Sequence, residues 1–274
     1  MKAIVCISDL HIGSVAGLCP PSGIQVVDGA TYKPNKFQLT LWKFWRNFWG
    51  EFVPRHTAGA ESVTLVINGD LIDGVHHQTT AVASNSWQKQ EFAAIDVLTH
   101  IPTPVTFARR FVVRGTEAHA GQGAESEERI SAAMGVEKNE IREYTTWQLW
   151  LEVSGVVFQF AHHIGVTSSV AYESSAPMRE MVTGLVEAAQ WGRKLPQVFV
   201  RSHRHRFILV PIPTAEGRIQ SVITPGWQLR TPFTERIDRM RMPHIGGCVF
   251  RVEDGVCEVR EKLYPLPDPK PIQI

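Results

Sequence analysis

Aspartate and histidine recur in this chain in short, tightly spaced clusters, and most of these clusters follow an apolar run. Asp9-Leu10-His11 comes after Ala-Ile-Val-Cys-Ile at residues 3–7. Gly69-Asp70-Leu71-Ile72-Asp73 comes after a β-branched run at 63–67. Phe111-Val112-Val113 leads into Gly115-Thr116-Glu117-Ala118-His119, residues 156–161 lead into His162-His163, and Val198-Phe199-Val200 leads into Ser202-His203-Arg204-His205. Imidazole and carboxylate together suit zinc, manganese or iron better than calcium. A single tetrahedral ion takes three or four protein ligands. Asp9, His11, Asp70, His162, His203 and His205 are too many for one ion and suit two. Two divalent cations roughly 4 Å apart clamp an in-line displacement at phosphorus, and a water bound to metal loses its proton near neutral pH. Gly-Asp alone is a common turn, so the signal lies in the joint occurrence at strand ends.

Such a site needs strands whose C-terminal ends meet, which is where open α/β sheets carry their chemistry. The runs at 2–8, 63–67 and 111–113 read as buried strands. Between them, Asn35 with Gln38 three residues later resembles a capping box, opening a helix with Phe37, Leu41, Phe44, Trp45, Phe48 and Phe52 at helical spacing. That aromatic stripe is read as core. Residues 87–101 form a second expected helix, with Phe92, Ile95 and Leu98 on one face. Glu125, Glu127 and Glu128 suit the positive start of a third, which Gly135 ends. The second half changes character. Residues 147–153 and 156–161 flank Ser154-Gly155 as a hairpin, and a helix of about four turns runs from Pro177 to Trp191. Further strands follow at 207–212, 219–223, 248–252 and 256–259. Residues 1–264 are expected to form one domain, with 265–274 a Pro-rich extended tail. The loop at 13–34 is long enough to be functional.

Composition sets bounds on partners. The chain has 274 residues, 43% hydrophobic and 20% charged, with 28 basic against 27 acidic side chains and a net charge of +1. That balance does not demand nucleic acid as a standing partner and leaves room for a local basic face. The cysteines Cys6, Cys19, Cys248 and Cys257 lack metal-type spacing and read as buried free thiols. Together with the absence of a signal-like N-terminus or a membrane-length apolar run, they make a cytoplasmic protein the expectation.

Taken together, D-x-H, G-D-x-x-D, a Gly-containing segment ending in His, a lone His and a final H-x-H resemble the calcineurin-like metallophosphoesterase superfamily. The motifs run in the right order from residue 9 to 205. The resemblance implies an α/β fold of four αββα layers, a two-sheet β-sandwich flanked by helices. It implies hydrolysis of phosphate mono- or diesters by a hydroxide generated between two divalent ions, manganese, iron or zinc. Asp9, His11, Asp70 and His205 would hold the first ion, Asp70 would bridge, and His162 and His203 would hold the second. His119 would protonate the leaving group, held by Asp73. Two departures stand out. The family's Asn ligand is replaced by Thr116, with Glu117 next, so either Glu117 supplies an oxygen or a water on Thr116 fills the place. The family's Gly before the final pair is Ser202. His162 is preferred to His163 because it directly ends its strand.

Other side chains have plainer readings. His76 and His77 lie near the site but read first as loop histidines, and His56, His100 and His244 as structural or surface groups. Arg201, Arg204 and Arg206 flank the final histidines and could meet phosphate oxygens. A nuclease of the same superfamily, with nucleic acid as substrate only, and a non-catalytic scaffold on the same fold are the alternative functions. The substrate-binding residues, the oligomeric state and the identity of the ester are not written in the sequence.

Overall fold

The strands that carry the clusters are buried on both faces, and this explains their unbroken apolar runs. The structure, a computed structural model, describes residues 1–26, 29–76, 79–167, 169–215, 217–237, 241–267 and 272–273. In chain order it contains β1 (Lys2–Ile7), β2 (Ile24–Gln25), β3 (Thr31–Tyr32) and α1 (Lys36–Asn47), which continues through a π-helical turn (Phe48–Phe52) into α2 (Val53–Thr57). β4 (Val63–Asn68), α3 (Trp87–Thr99), β5 (Arg109–Val113), α4 (Glu117–Ala120), α5 (Glu125–Ala133) and β6 (Thr145–Thr146) follow. The second half holds β7 (Leu149–Val153), β8 (Val156–Phe160), α6 (Ser175–Trp191), β9 (Val198–Arg201), β10 (Ile208–Thr214), β11 (Gly217–Ile223), α7 (Pro232–Ile237), β12 (Ile245–Glu253) and β13 (Val256–Tyr264).

The first sheet has six strands in the order β13-β12-β1-β4-β5-β6, and the second has five in the order β10-β11-β9-β8-β7. Strands β1, β4, β5 and β6 run parallel, as do β8, β9 and β11, while the outer strands β12, β13, β10 and β7 pair antiparallel. Pleating divides each central strand between two cores. Ala3, Val5, Ile7, Leu65 and Ile67 face the helices α1 to α3 and α5. Ile4, Cys6 and Val66 face Phe158, Phe160, Val198, Val200 and Val222 of the second sheet. On that sheet's outer face Phe199, Val210 and Ile219 receive Met181 of α6. The result is the expected αββα order, with two main sheets between helices. All four cysteines are buried free thiols, as expected.

The capping box on α1 forms as expected, Asn35 accepting from Phe37 and Gln38 backbone N–H groups while Gln38 accepts from Asn35 N–H. The aromatic stripe is corrected in part. Phe37 is 53% exposed, because it lies in the first turn before the helix meets the core. The π-helical turn changes the phase of the face, so Phe48 and Trp49 are both fully buried. Trp45 packs edge-on to Trp49 and Trp227 at ring separations of 5.4 and 4.9 Å. Trp227 donates its backbone N–H to Asp9 O at 2.9 Å, so this aromatic core lies directly beneath a site residue. α3 buries Leu98 and packs Ile95 against the core as expected, but not Phe92. Phe92 is 54% exposed, and the buried positions include Gln90 and Glu91. The 13–34 loop contains the β2–β3 hairpin. Half of the expected extended tail, 268–271 and 274, lies outside the described residues, as does His77.

Candidate metal centre at the strand ends

Three groups of Asp and His offer ligand atoms within 4.8 Å of one another: Asp9 with His11 and His205, Asp70 with His162 and His203, and His11 with Asp73 and His119. They gather because β1 and β4 are parallel neighbours in one sheet, β8 and β9 in the other, and the chain leaves each strand at the same end of the sandwich. The turns there are sharp. Asp9, His11, Asp70, His203 and His205 all have left-handed backbone, with φ of 54°, 44°, 56°, 70° and 51°. Each such residue costs roughly 1 kcal/mol or more, and strain of this kind concentrates at functional sites.

Within the first group His11 Nε2 lies 3.1 Å from His205 Nε2, and His205 Nε2 lies 3.2 Å from Asp9 Oδ1. Within the second, His162 Nε2 lies 3.0 Å from Asp70 Oδ2. The two groups adjoin, with His162 Nε2 3.9 Å from Asp9 Oδ1. His162 Nδ1 donates to Asn68 O at 2.6 Å, and a carbonyl only accepts, so the proton is on Nδ1 and Nε2 is left facing the carboxylates. His11 Nδ1 lies 3.3 Å from Asp73 Oδ1, an ion-pair approach that is not aligned as a hydrogen bond. Asp9 Oδ1 and His162 Nε2 are buried and aligned for no hydrogen bond despite these short separations. Buried donor atoms left without a hydrogen-bond partner suit a cation. The donor set fits one, and its imidazole and carboxylate mixture fits manganese, iron or zinc.

Charge coupling is strong here. Burial alone would raise Asp9, yet His205 and His162 hold its carboxyl down at about 2. Burial would lower His162, yet Asp70 and Asp9 push it up to about 10. His203 falls to about 4 through burial and the nearby His162.

Several expectations need correction. Asp73 does hold His119, but through its backbone carbonyl, which accepts from His119 Nδ1 at 2.6 Å. Its carboxylate is taken by His11 and by Gln228 Nε2, which donates at 3.1 Å. Burial, then the charge of His11, lowers His119 to about 4. Glu117 is exposed at the start of α4 and joins none of the three groups. Thr116 instead secures Asp70, its backbone N–H and its hydroxyl donating to Oδ1 at 2.7 and 3.1 Å. Asp70 groups with His162 and His203. The arginines point elsewhere. Arg201 is buried against Glu180 and Gln159, Arg206 pairs with Glu173 at 3.2 Å, and Arg204 donates to the carbonyls of Glu173 and Gly165.

His162 is buried in the second group while His163 is exposed. His76 is closer than a loop histidine need be, with Nε2 3.8 Å from Asp73 Oδ2 and its ring 4.6 Å from His119. Ser202 ties the ends of the two sheets together, because its hydroxyl meets Thr224 Oγ1 at 2.7 Å and accepts from Asn68 Nδ2 at 2.7 Å. Sequence reasoning missed Gln90, whose buried amide holds Gly74 and Ser84, and Glu127, whose carboxylate holds the loops after β4 and β5. Gly115 is required by close approach, since a Cβ there would come 2.2 Å from Asp70 Oδ1.

No protein-family model matches the sequence, and no curated protein does. Among solved structures the chain is similar to a single mutant of Vps29 from Entamoeba histolytica, at 9% identity and a TM-score of 0.39, over 96% of this chain and 100% of that one. It is similar to a predicted phosphoesterase from Streptococcus pneumoniae, at 11% identity and a TM-score of 0.36, over 96% and 93%. It is also similar to the sulfate thiohydrolase SoxB of Thermus thermophilus, at 10% identity and a TM-score of 0.38, over 96% of this chain and 56% of SoxB. The αββα sandwich with Asp and His gathered at its strand ends is the architecture that resemblance to the calcineurin-like metallophosphoesterases implies.

Proposed function

We propose that this chain is a metal-dependent phosphoesterase that hydrolyses phosphate mono- or diesters. The observation that carries this reading is the pair of adjoining Asp/His groups, among whose buried ligand atoms Asp9 Oδ1 and His162 Nε2 have no hydrogen-bond partner. Asp9, His11 and His205 would hold one divalent cation, and Asp70, His162 and His203 the other. Bound there, the cations supply hydroxide near neutral pH and neutralise charge on the phosphoryl oxygens. The Asn68 carbonyl keeps His162 oriented, and the Asp73 carboxylate places its charge beside His11 Nδ1. His119 has Nδ1 fixed on the Asp73 carbonyl, which leaves Nε2 to deliver a proton to a leaving alkoxide. A phosphate dianion beside the ring favours the protonated form that this step needs.

Hydrolysis of bis-p-nitrophenyl phosphate and p-nitrophenyl phosphate in added manganese tests the proposal. Turnover that EDTA abolishes is expected, and the preferred ester distinguishes diesterase from monoesterase. Cation binding without turnover of either ester would favour a metal-binding scaffold instead. The exposed Glu117, which leaves the second group with three ligands, is the feature that speaks for this second reading.

The electrostatics also predict a pH signature. His162 is raised from 6.5 to about 10, so its contribution to stability in the metal-free chain is complete below 6.5 and is lost as pH rises toward 10. Asp9 is lowered from 3.8 to about 2, so its contribution is present above 3.8 and is lost as pH falls toward 2. A cation needs the lone pair of His162 Nε2 and competes with the proton there. The difference in melting temperature between manganese-loaded and EDTA-treated chain should therefore widen steadily from about pH 6 to 9. A difference independent of pH would count against His162 as a ligand.

A further inference from the structure

Glu127 sits in the first turn of α5 and is 0% exposed. A carboxylate this deep must have its lone pairs satisfied or it is strongly destabilising. Among the described residues it pairs with no lysine or arginine within salt-bridge distance. Its partners are backbone amides from two different loops: Gly115 N–H donates to Oε2 at 2.8 Å, and Leu71 N–H approaches Oε1 at 3.4 Å. Leu71 is the residue after Asp70. Gly115 is the residue before Thr116, whose N–H and hydroxyl both bond Asp70 Oδ1. One carboxylate therefore clasps both chain segments that fix the position of Asp70. The fit is tight, since a Cβ on Gly115 would come 3.0 Å from Glu127 Oε1 as well as 2.2 Å from Asp70 Oδ1.

We infer that Glu127 is a positioning residue for the cation held by Asp70, His162 and His203. It acts by locking the loops after β4 and β5 in register through the amides of Leu71 and Gly115. The inference rests on the metal-dependent reading above. It is selective, because Asp9, His11 and His205, which would hold the other cation, follow other strands and, among the described residues, share no hydrogen bond with Glu127. Outer-shell partners of metal ligands typically change affinity about 10- to 100-fold. The loss should fall on one cation only.

Calorimetric titration of the full-length chain with manganese tests this, using wild type, Glu127→Ala and Glu127→Gln, with circular dichroism to check folding. Wild type should bind about two ions per chain. Glu127→Ala should keep one at unchanged affinity and weaken the other about 10- to 100-fold. Glu127→Gln should lie between, because its carbonyl still accepts from Gly115 while its amide faces the Leu71 N–H. If Glu127→Ala does not fold, the selective weakening is read from Glu127→Gln against wild type. Two ions bound with unchanged affinity in the variants would overturn the inference alone, and equal weakening of both ions would mark Glu127 as a general structural residue and overturn it too. Wild type that binds no manganese would overturn the metal reading, and the inference with it.

Discussion

Asp70→Asn is expected to strip the cation from its group and lower turnover by a factor of about 1,000 or more, beyond the 10- to 100-fold typical of an outer-shell partner. Asp70 is almost fully buried, and its two oxygens have separate roles. Oδ1 accepts both bonds from Thr116, and Oδ2 faces His162 Nε2 at 3.0 Å. In the asparagine variant the amide oxygen can keep the Thr116 bonds. The NH₂ group then takes the place of Oδ2, and a donor cannot ligate a cation. The fold should survive, because the variant is isosteric and the loop bonds remain. His162 loses the charge that holds it up at about 10, so its proton is released at lower pH. Metal analysis and kcat on the two nitrophenyl esters measure the outcome. Two bound cations with undiminished turnover would remove Asp70 from the centre of the chemistry.

The second large effect is expected at His119. His119→Ala should leave both cations bound while slowing esters with poor leaving groups about 10²- to 10⁴-fold, the usual contribution of a positioned acid. p-Nitrophenolate leaves without help, so its esters should be slowed far less. The ring stands edge-on to both His11 and His76 at 4.4 and 4.6 Å, so truncation also opens a gap beside His11. His119→Gln fills most of that gap without supplying an acid and should reproduce the leaving-group dependence. Equal slowing of alkyl and nitrophenyl esters in both variants would mean that His119 has a different role.

The strands bearing Asp9 and Asp70 are readable in the sequence because both their faces are buried, leaving uninterrupted apolar runs that stop abruptly at the site. His162 is the buried one of the pair, although β8 ends at Phe160 and Ala161 intervenes, so directly ending the strand is not what sets its direction. Helix phase is less readable. Spacing finds α3, but its buried face includes Gln90 and Glu91, whose partners Gly74, Ser84, Ser126 and Arg129 lie elsewhere in the chain. An apolar count alone puts Phe92 inside when it is outside. Glu117 and Glu127 exchange importance for a similar reason. Distance in sequence from Gly115 favours Glu117, but the short α4 turns it to solvent. Glu127 looks like ordinary charge at a helix start, and only the packing of α5 beneath two loops gives it backbone partners. The partner atom on Asp73 is likewise fixed by the path of the loop: its carbonyl reaches His119 while its carboxylate turns to His11.

The central claim is that two cations sit at these strand ends, and metal content tests it most directly. The chain would be loaded with manganese, freed of loosely held ion, and measured by elemental analysis. The account predicts about two ions per chain. A chain that retains none, while still folded and monodisperse, would contradict it.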